Sequence, residues 1–201
     1  MTKIKLCGLS RIEDIEAANE LHPDFIGFVF AKNSRRSVSA RQAAELKAAL
    51  ASDIKAVGVF VNENADTVAR LLDSGVIDLA QLHGNEDENY IASLRERTEK
   101  TIIQAFRIIG KGDVLKAQCS TADILLDSGA GTGTVFDWSL LQDFQRPYFL
   151  AGGLDCTNVT KAIEGLRPFA VDVSSGIETD GKKDKNKMAA FVAAVRKEEE
   201  R

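Results

Sequence analysis

The chain has 201 residues, 44% of them apolar and 28% charged, with a formal net charge of −4. That balance is ordinary for a globular protein and lacks the basic surplus that would grip a nucleic acid, so no nucleic-acid partner is expected. No apolar run approaches the roughly 18–20 residues that cross a bilayer, and no membrane partner is expected either.

The N-terminal Met-Thr-Lys-Ile-Lys runs directly into a strand-like segment without an apolar leader. Three widely spaced cysteines, Cys7, Cys119 and Cys156, form no CxxC pair. A reducing cytoplasm is therefore the expected compartment, with neither a disulfide framework nor a zinc site.

Eight short apolar runs follow one another: Lys3–Leu9, Phe25–Phe30, Ile54–Asn62, Leu79–His83, Thr101–Arg107, Ile124–Asp127, Tyr148–Ala151 and Ala170–Val173. They start roughly every 22–30 residues, the length of one strand plus one crossover helix. Each is close to continuously apolar, as parallel strands buried on both faces are.

Helical segments fill the gaps. Ser10 and Glu13 are spaced as a capping box for the first, Ser39 opens an Ala/Leu-rich run ending near Ala51, and Asn64 opens Ala65–Leu72. Asn85 opens Glu86–Arg97, Asp155 opens Cys156–Gly165, and Asp184 opens a C-terminal helix whose charged end, Arg196–Arg201, is expected to fray in solvent. Short helices are predicted over Gly112–Cys119 and Phe136–Asp143.

Alternating strands and helices would also suit an open doubly wound sheet. Eight equal units with nothing left over favour closure. The expected fold is α/β: one single-domain (β/α)8 barrel of the TIM type over residues 1–201, with eight parallel strands.

In such a barrel the chemistry sits at the C-terminal ends of the strands. Cys7 ends the first run before Gly8, and Asp127 closes Ile-Leu-Leu-Asp in the sixth. A thiol removes a proton only as thiolate. A bound anion would oppose that ionisation and the following helix N-terminus would favour it, and the sequence leaves the balance open. Partial burial would raise the pKa of Asp127 and suit it to general acid work. The plainer alternatives are a buried structural cysteine and a turn-capping aspartate.

Arg36, in Ser34-Arg35-Arg36-Ser37 after the second run, offers a fork that matches a carboxylate. His83 ends the fourth run two residues after Gln81 on the same face, as a rival acid–base group, a group that orients substrate, or a side chain that simply fills the top layer. His22, before Pro23, belongs at the opposite end and should be exposed.

Phosphate in these barrels binds between the loops after strands seven and eight. Here those loops carry Gly152 and Gly153, then Ser174, Ser175 and Gly176, which present main-chain donors and hydroxyls with little steric bulk. Gly129-Ala130-Gly131-Thr132-Gly133 lacks the spacing of a dinucleotide motif and reads as a flexible loop over the mouth. Lys5 shares the strand parity of Cys7, and Asp172 that of Ser174. Closure would make the first and last strands neighbours, so Lys5 and Asp172 are expected to pair inside the barrel, since neither charge could be buried alone. A Schiff-base role is the alternative for Lys5.

Several stretches together resemble one family, phosphoribosylanthranilate isomerase of tryptophan biosynthesis. They are Lys5-Leu6-Cys7-Gly8-Leu9, Gly27-Phe28-Val29-Phe30, Gln81-Leu82-His83-Gly84, Leu126-Asp127-Ser128, Gly131-Thr132-Gly133 with Phe136-Asp137-Trp138, Ala151-Gly152-Gly153-Leu154, and Val171 through Glu178. The resemblance implies an Amadori rearrangement of N-(5'-phosphoribosyl)anthranilate to 1-(2-carboxyphenylamino)-1-deoxyribulose 5-phosphate, with no metal or organic cofactor. It makes Cys7 the general base and Asp127 the general acid. It brings Arg36 to the anthranilate carboxylate and the phosphate to the Gly153 and Ser174–Ser175 regions. Arg35 and Ser37 stand where the family often has a proline and an aromatic residue, which leaves both Arg35 and Arg36 as candidates for the carboxylate.

The expected partner is thus a phosphorylated small molecule, bound by a monomer or a homodimer. Another phosphosugar barrel enzyme, or a barrel that only binds a phosphorylated ligand, is the competing reading.

Overall fold

The computed structural model describes residues 1–127, 138–142 and 144–199. Its eight main strands are β1 (Lys3–Cys7), β2 (Phe25–Val29), β3 (Lys55–Phe60), β4 (Leu79–Leu82), β5 (Ile102–Arg107), β6 (Asp123–Asp127), β7 (Tyr148–Ala151) and β8 (Ala170–Val173). They hydrogen-bond in chain order as a parallel sheet, and β8 returns to pair with β1, closing the barrel. All eight apolar runs became strands. The runs overshoot where a polar rim residue continues the pattern, so His83 lies just beyond β4 rather than within it.

The helices are α1 (Ile12–Leu21), α2 (Ala40–Ala48), α3 (Ala65–Asp73), α4 (Glu88–Arg95), α5 (Lys111–Cys119), α6 (Val159–Leu166) and α7 (Lys185–Glu199). Ser39 and Asn64 cap α2 and α3 as expected, accepting from the N–H groups of Gln42 and Asp66. Three starts differ from expectation. Asp14, not Glu13, turns back at α1 to accept from the N–H groups of Ser10 and Arg11, because Asp14 is on the buried face and Glu13 on the exposed one.

Asn85 does not open α4. Glu86 is drawn back to accept from the N–H groups of Asn62 and Gly84, and the cap passes to Asp87, which accepts from Tyr90 N–H. Asp155 spends its carboxylate on a local turn, accepting from Thr157 and Asn158, which delays α6 to Val159. Between β6 and β7 the described residues contain a single 3-10 turn, Trp138–Leu141. The Gly129–Gly133 loop and the start of the predicted Phe136–Asp143 helix lie outside the described residues.

Burial divides into two shells. Helix faces pack on the outside of the barrel through residues such as Leu6, Ile26, Phe60, Leu82, Ile124 and Val171. The interior is filled lower down by Phe25, Val57, Ile103, Leu125, Phe149 and Ala170, and near the mouth by Cys7, Val29 and Val59. Between these apolar bands lie buried polar residues: Lys5 at 0% exposure, Gln81 and Asp172. Lys5 is in register with Asp172 across the closing seam, and its ammonium donates to both carboxylate oxygens at 3.0 and 3.1 Å. Burial works against the charge on Lys5, but Asp172 beside it leaves its pKa above the ordinary value.

Removing one partner of such a pair leaves an unpaired buried charge. Asp172→Ala is expected to cost about 3–5 kcal/mol in urea unfolding. Lys5→Met combined with Asp172→Leu should recover most of that loss. A single variant as stable as the parent would show that the pair is not what holds the seam.

Candidate active site

The C-terminal rim of the barrel opens into a cavity of about 740 Å³. Of the nine residues singled out from the sequence, eight line it: Cys7, Arg36, His83, Asp127, Gly152, Gly153, Ser174 and Ser175. Gly176 does not. It sits behind Ser175, where a Cβ atom would come within 2.0 Å of the Leu154 carbonyl oxygen. Its part is to let the loops after β7 and β8 lie against each other.

Cys7 points inward from the end of β1 and is buried. Burial pushes its thiol above the ordinary range, while the ammonium of Lys5, one inward position below, and that of Lys183 pull it down. The net effect is upward.

Asp127 ends β6, three strands round the ring from β1. Its Oδ2 lies 3.3 Å from Nε2 of His83. The Nδ1 of that ring is 2.9 Å from the Gln81 side-chain amide nitrogen. With the amide N–H donated to Nδ1, the ring proton is on Nε2 and faces the Asp127 carboxylate. Gln81 is 1% exposed and its Oε1 has no hydrogen-bond partner among the described residues. A proton on Nε2 of His83 would stabilise negative charge on Asp127. The other histidine, His22, is exposed at the far end near Asp53, as expected.

Gly152 and Gly153 have φ of +96° and +65°, a left-handed pair that turns the chain back over the rim without side chains in the way. Asn158 secures this turn by donating to the Gly153 carbonyl. Opposite it, the Ser174 hydroxyl donates to the Cys7 carbonyl at 3.1 Å, joining the loop after β8 to the end of β1.

Arg36 and Arg35 both line the cavity, but they are held differently. Arg36 has a side chain 22% exposed, and its Nε and Nη2 grip both oxygens of Glu178 at 2.5 and 2.9 Å. Arg35 is 61% exposed and makes a single contact to Glu178 at 2.8 Å. Lys183 adds a third cation on Glu178, at 2.7 Å. Burial pushes the Glu178 carboxyl up, but the hydrogen bonds from Arg36 and Lys183 override it and hold the pKa down at about 2. Sequence reasoning missed Lys183 and gave Glu178 no role, because a short two-stranded hairpin carries them and no periodic signal marks it. Asp180-Gly181 at its tip was the available clue.

A closed parallel barrel with a thiol, a carboxyl and a histidine on the wall of one rim cavity, and glycine and serine loops after its last two strands, has the layout of an enzyme that works by acid–base catalysis on a small anionic substrate. The family model for N-(5'phosphoribosyl)anthranilate (PRA) isomerase matches residues 4–194. An N-(5'-phosphoribosyl)anthranilate isomerase of Endomicrobium trichonymphae is 42% identical over 201 residues, covering 98% of this chain and 99% of the relative. The phosphoribosyl anthranilate isomerase of Thermotoga maritima superposes with a TM-score of 0.90 at 34% identity, covering 98% of this chain and 100% of that one. A solved phosphoribosyl anthranilate isomerase in complex with reduced 1-(o-carboxyphenylamino)-1-deoxyribulose 5-phosphate superposes with a TM-score of 0.88 at 35% identity, with the same coverage. The chain belongs to the N-(5'-phosphoribosyl)anthranilate isomerase family.

Proposed function

We propose that this protein isomerises N-(5'-phosphoribosyl)anthranilate to 1-(2-carboxyphenylamino)-1-deoxyribulose 5-phosphate, with the barrel as its one catalytic domain. The observation that carries the reading is the shared cavity: Cys7 and Asp127 line it together with Gly152, Gly153, Ser174 and Ser175. Asp127, protonated, gives its proton to the ribose ring oxygen, and the C1–O bond breaks to leave an iminium at C1. His83 then donates to the carboxylate so formed. The iminium acidifies the proton on C2, and Cys7 as thiolate removes it. The resulting enolamine takes up a proton at C1 and loses one from the C2 hydroxyl to become the ketone.

Iminium formation is what lets a thiol act as the base. A C2–H beside a hydroxyl alone would be far too weak an acid. The phosphate held at the glycine and serine loops fixes one end of the sugar, and the Arg36 fork takes the anthranilate carboxylate at the other. Binding at both ends places the reacting carbons between acid and base. The exposed free thiols of Cys119 and Cys156 suit the reducing cytoplasm as the place of action.

The test follows the fluorescence of freshly generated phosphoribosylanthranilate in the presence of the purified protein. Catalytic loss of the signal with formation of the ketose product is expected. A signal that decays no faster than in buffer overturns the reading. Arg36→Ala should mainly raise KM, and an effect confined to kcat would contradict carboxylate binding.

A further inference from the structure

The two ends of the substrate contact different loops, and the structure joins those loops beneath the cavity. Strands β9 (Glu178–Thr179) and β10 (Lys182–Lys183) form a small antiparallel hairpin after β8. Asp180 and Gly181 at its tip have φ of +50° and +77°, the conformation of a tight two-residue turn, and the pairing sets Glu178 directly opposite Lys183. Both side chains are almost completely enclosed, at 4% and 2% exposure.

We propose that Glu178 is a positioning residue for the substrate carboxylate: it fixes the Arg36 guanidinium at the cavity wall and, through Lys183, ties that guanidinium to the Ser174 loop. This rests on the isomerase reading and deepens it, since Glu178 itself does not line the main cavity.

The geometry supports it from three sides. Arg36 has five N–H donors in a rigid fork. Two of them, from Nε and Nη2, go to the two oxygens of Glu178, so one edge of the fork is locked. Among the described residues nothing else takes the Nη1 donors or the second Nη2 hydrogen, which leaves them for a ligand. The aliphatic stem of Arg36 lies over Gly8, where a Cβ atom would come within 2.5 Å of Arg36 Cδ, so the stem has little room to swing.

Lys183 provides the link. Its ammonium donates to Glu178, to the Ser174 carbonyl at 2.8 Å and to the Ser174 hydroxyl oxygen at 3.2 Å. The same hydroxyl donates to the Cys7 carbonyl. Arg11 in turn donates to the Lys183 carbonyl and steadies the hairpin from the α1 side. Three cations converge on one carboxylate, with Arg35 as the third. Glu178 therefore orders Arg36 and leaves a surplus of positive charge at that edge of the mouth. An ordered guanidinium loses less freedom when a carboxylate docks, which strengthens binding without touching the reacting bonds.

The experiment compares wild type, Glu178→Gln and Glu178→Asp on phosphoribosylanthranilate and on phosphoribosylaniline, which lacks the carboxylate. For Glu178→Gln, KM for the carboxylated substrate is expected to rise about 10-fold or more with kcat within about 3-fold, and KM for the aniline to stay within about 3-fold. Glu178→Asp should restore part of the difference. In an Arg36→Met background, Glu178→Gln should add nothing further to KM, because Glu178 acts through Arg36. KM is read on the folded fraction, so partial unfolding would lower the apparent kcat and leave the ratio of the two KM values intact.

Equal changes in KM for both substrates, or a fall in kcat alone, would overturn the inference while leaving the isomerase activity standing. A wild-type protein that leaves phosphoribosylanthranilate unchanged would overturn the activity and the inference with it.

Discussion

Asparagine in place of Asp127 is expected to lower kcat by about 10²–10⁴-fold, the usual contribution of a positioned general acid. The side chain keeps its shape, and His83 can still reach an amide oxygen, so folding should be preserved. What disappears is the proton delivered to the ring oxygen, so the iminium forms only slowly and the C2 proton is rarely acidified. The pH profile of the residual activity is the sharper readout. On the proposed assignment the wild type needs a protonated carboxyl and a thiolate at once, and carboxylic acids titrate well below thiols. Between the two pKa values, raising the pH creates thiolate as fast as it removes the acid, so kcat/KM should be nearly flat. Without the acid only the thiolate matters, and residual kcat/KM should climb about tenfold per pH unit through neutrality. A flat profile in the variant, or a kcat near that of the wild type, would remove Asp127 from its role.

The complementary substitution is Cys7→Ser. Its hydroxyl fits the same pocket but ionises far less readily than a thiol, and kcat should again fall by about 10²–10⁴-fold. Burial holds the Cys7 thiol above its ordinary range. Lys5 and Lys183 work against that burial. With Cys7 gone, the surviving rate should depend on the acid alone and decline as pH rises, opposite in sign to the Asp127→Asn profile. Opposed slopes in the two variants would identify which group is acid and which is base. Parallel slopes would defeat the assignment. A product analogue should bind both variants about as well as the parent, because neither residue supplies the phosphate or carboxylate contacts.

The barrel was legible because parallel strands buried on both faces leave unbroken apolar runs, and because eight of them recur at one interval. Helix starts were less legible, since several short polar residues compete for the same orphan N–H groups. At α1, α4 and α6 the winner was decided by tertiary burial or by a local turn that no spacing rule contains. The Lys5–Asp172 pair could be derived because strand parity and closure are both geometric. The enclosure of Glu178 by Arg36 and Lys183 could not, because it depends on a hairpin of two-residue strands folding under the rim. Gly176 was assigned to the ligand-facing surface on its neighbours' account. Its actual constraint is a close approach between two backbones, visible only in three dimensions.

The closing seam has a consequence for the newborn chain. Lys5 must wait for Asp172, 167 residues later, before its charge has a counterpart. At roughly 5–20 residues per second of synthesis, that interval is on the order of ten seconds or more. Until then the first strand cannot be buried without an unanswered charge, so it should remain loosely held while the middle of the protein organises. Ring closure and the completion of the reactive pocket therefore arrive together, late in translation. Ribosome-stalled chains ending before Asp172 should accordingly show no trace of turnover, however much of their helical content is already in place.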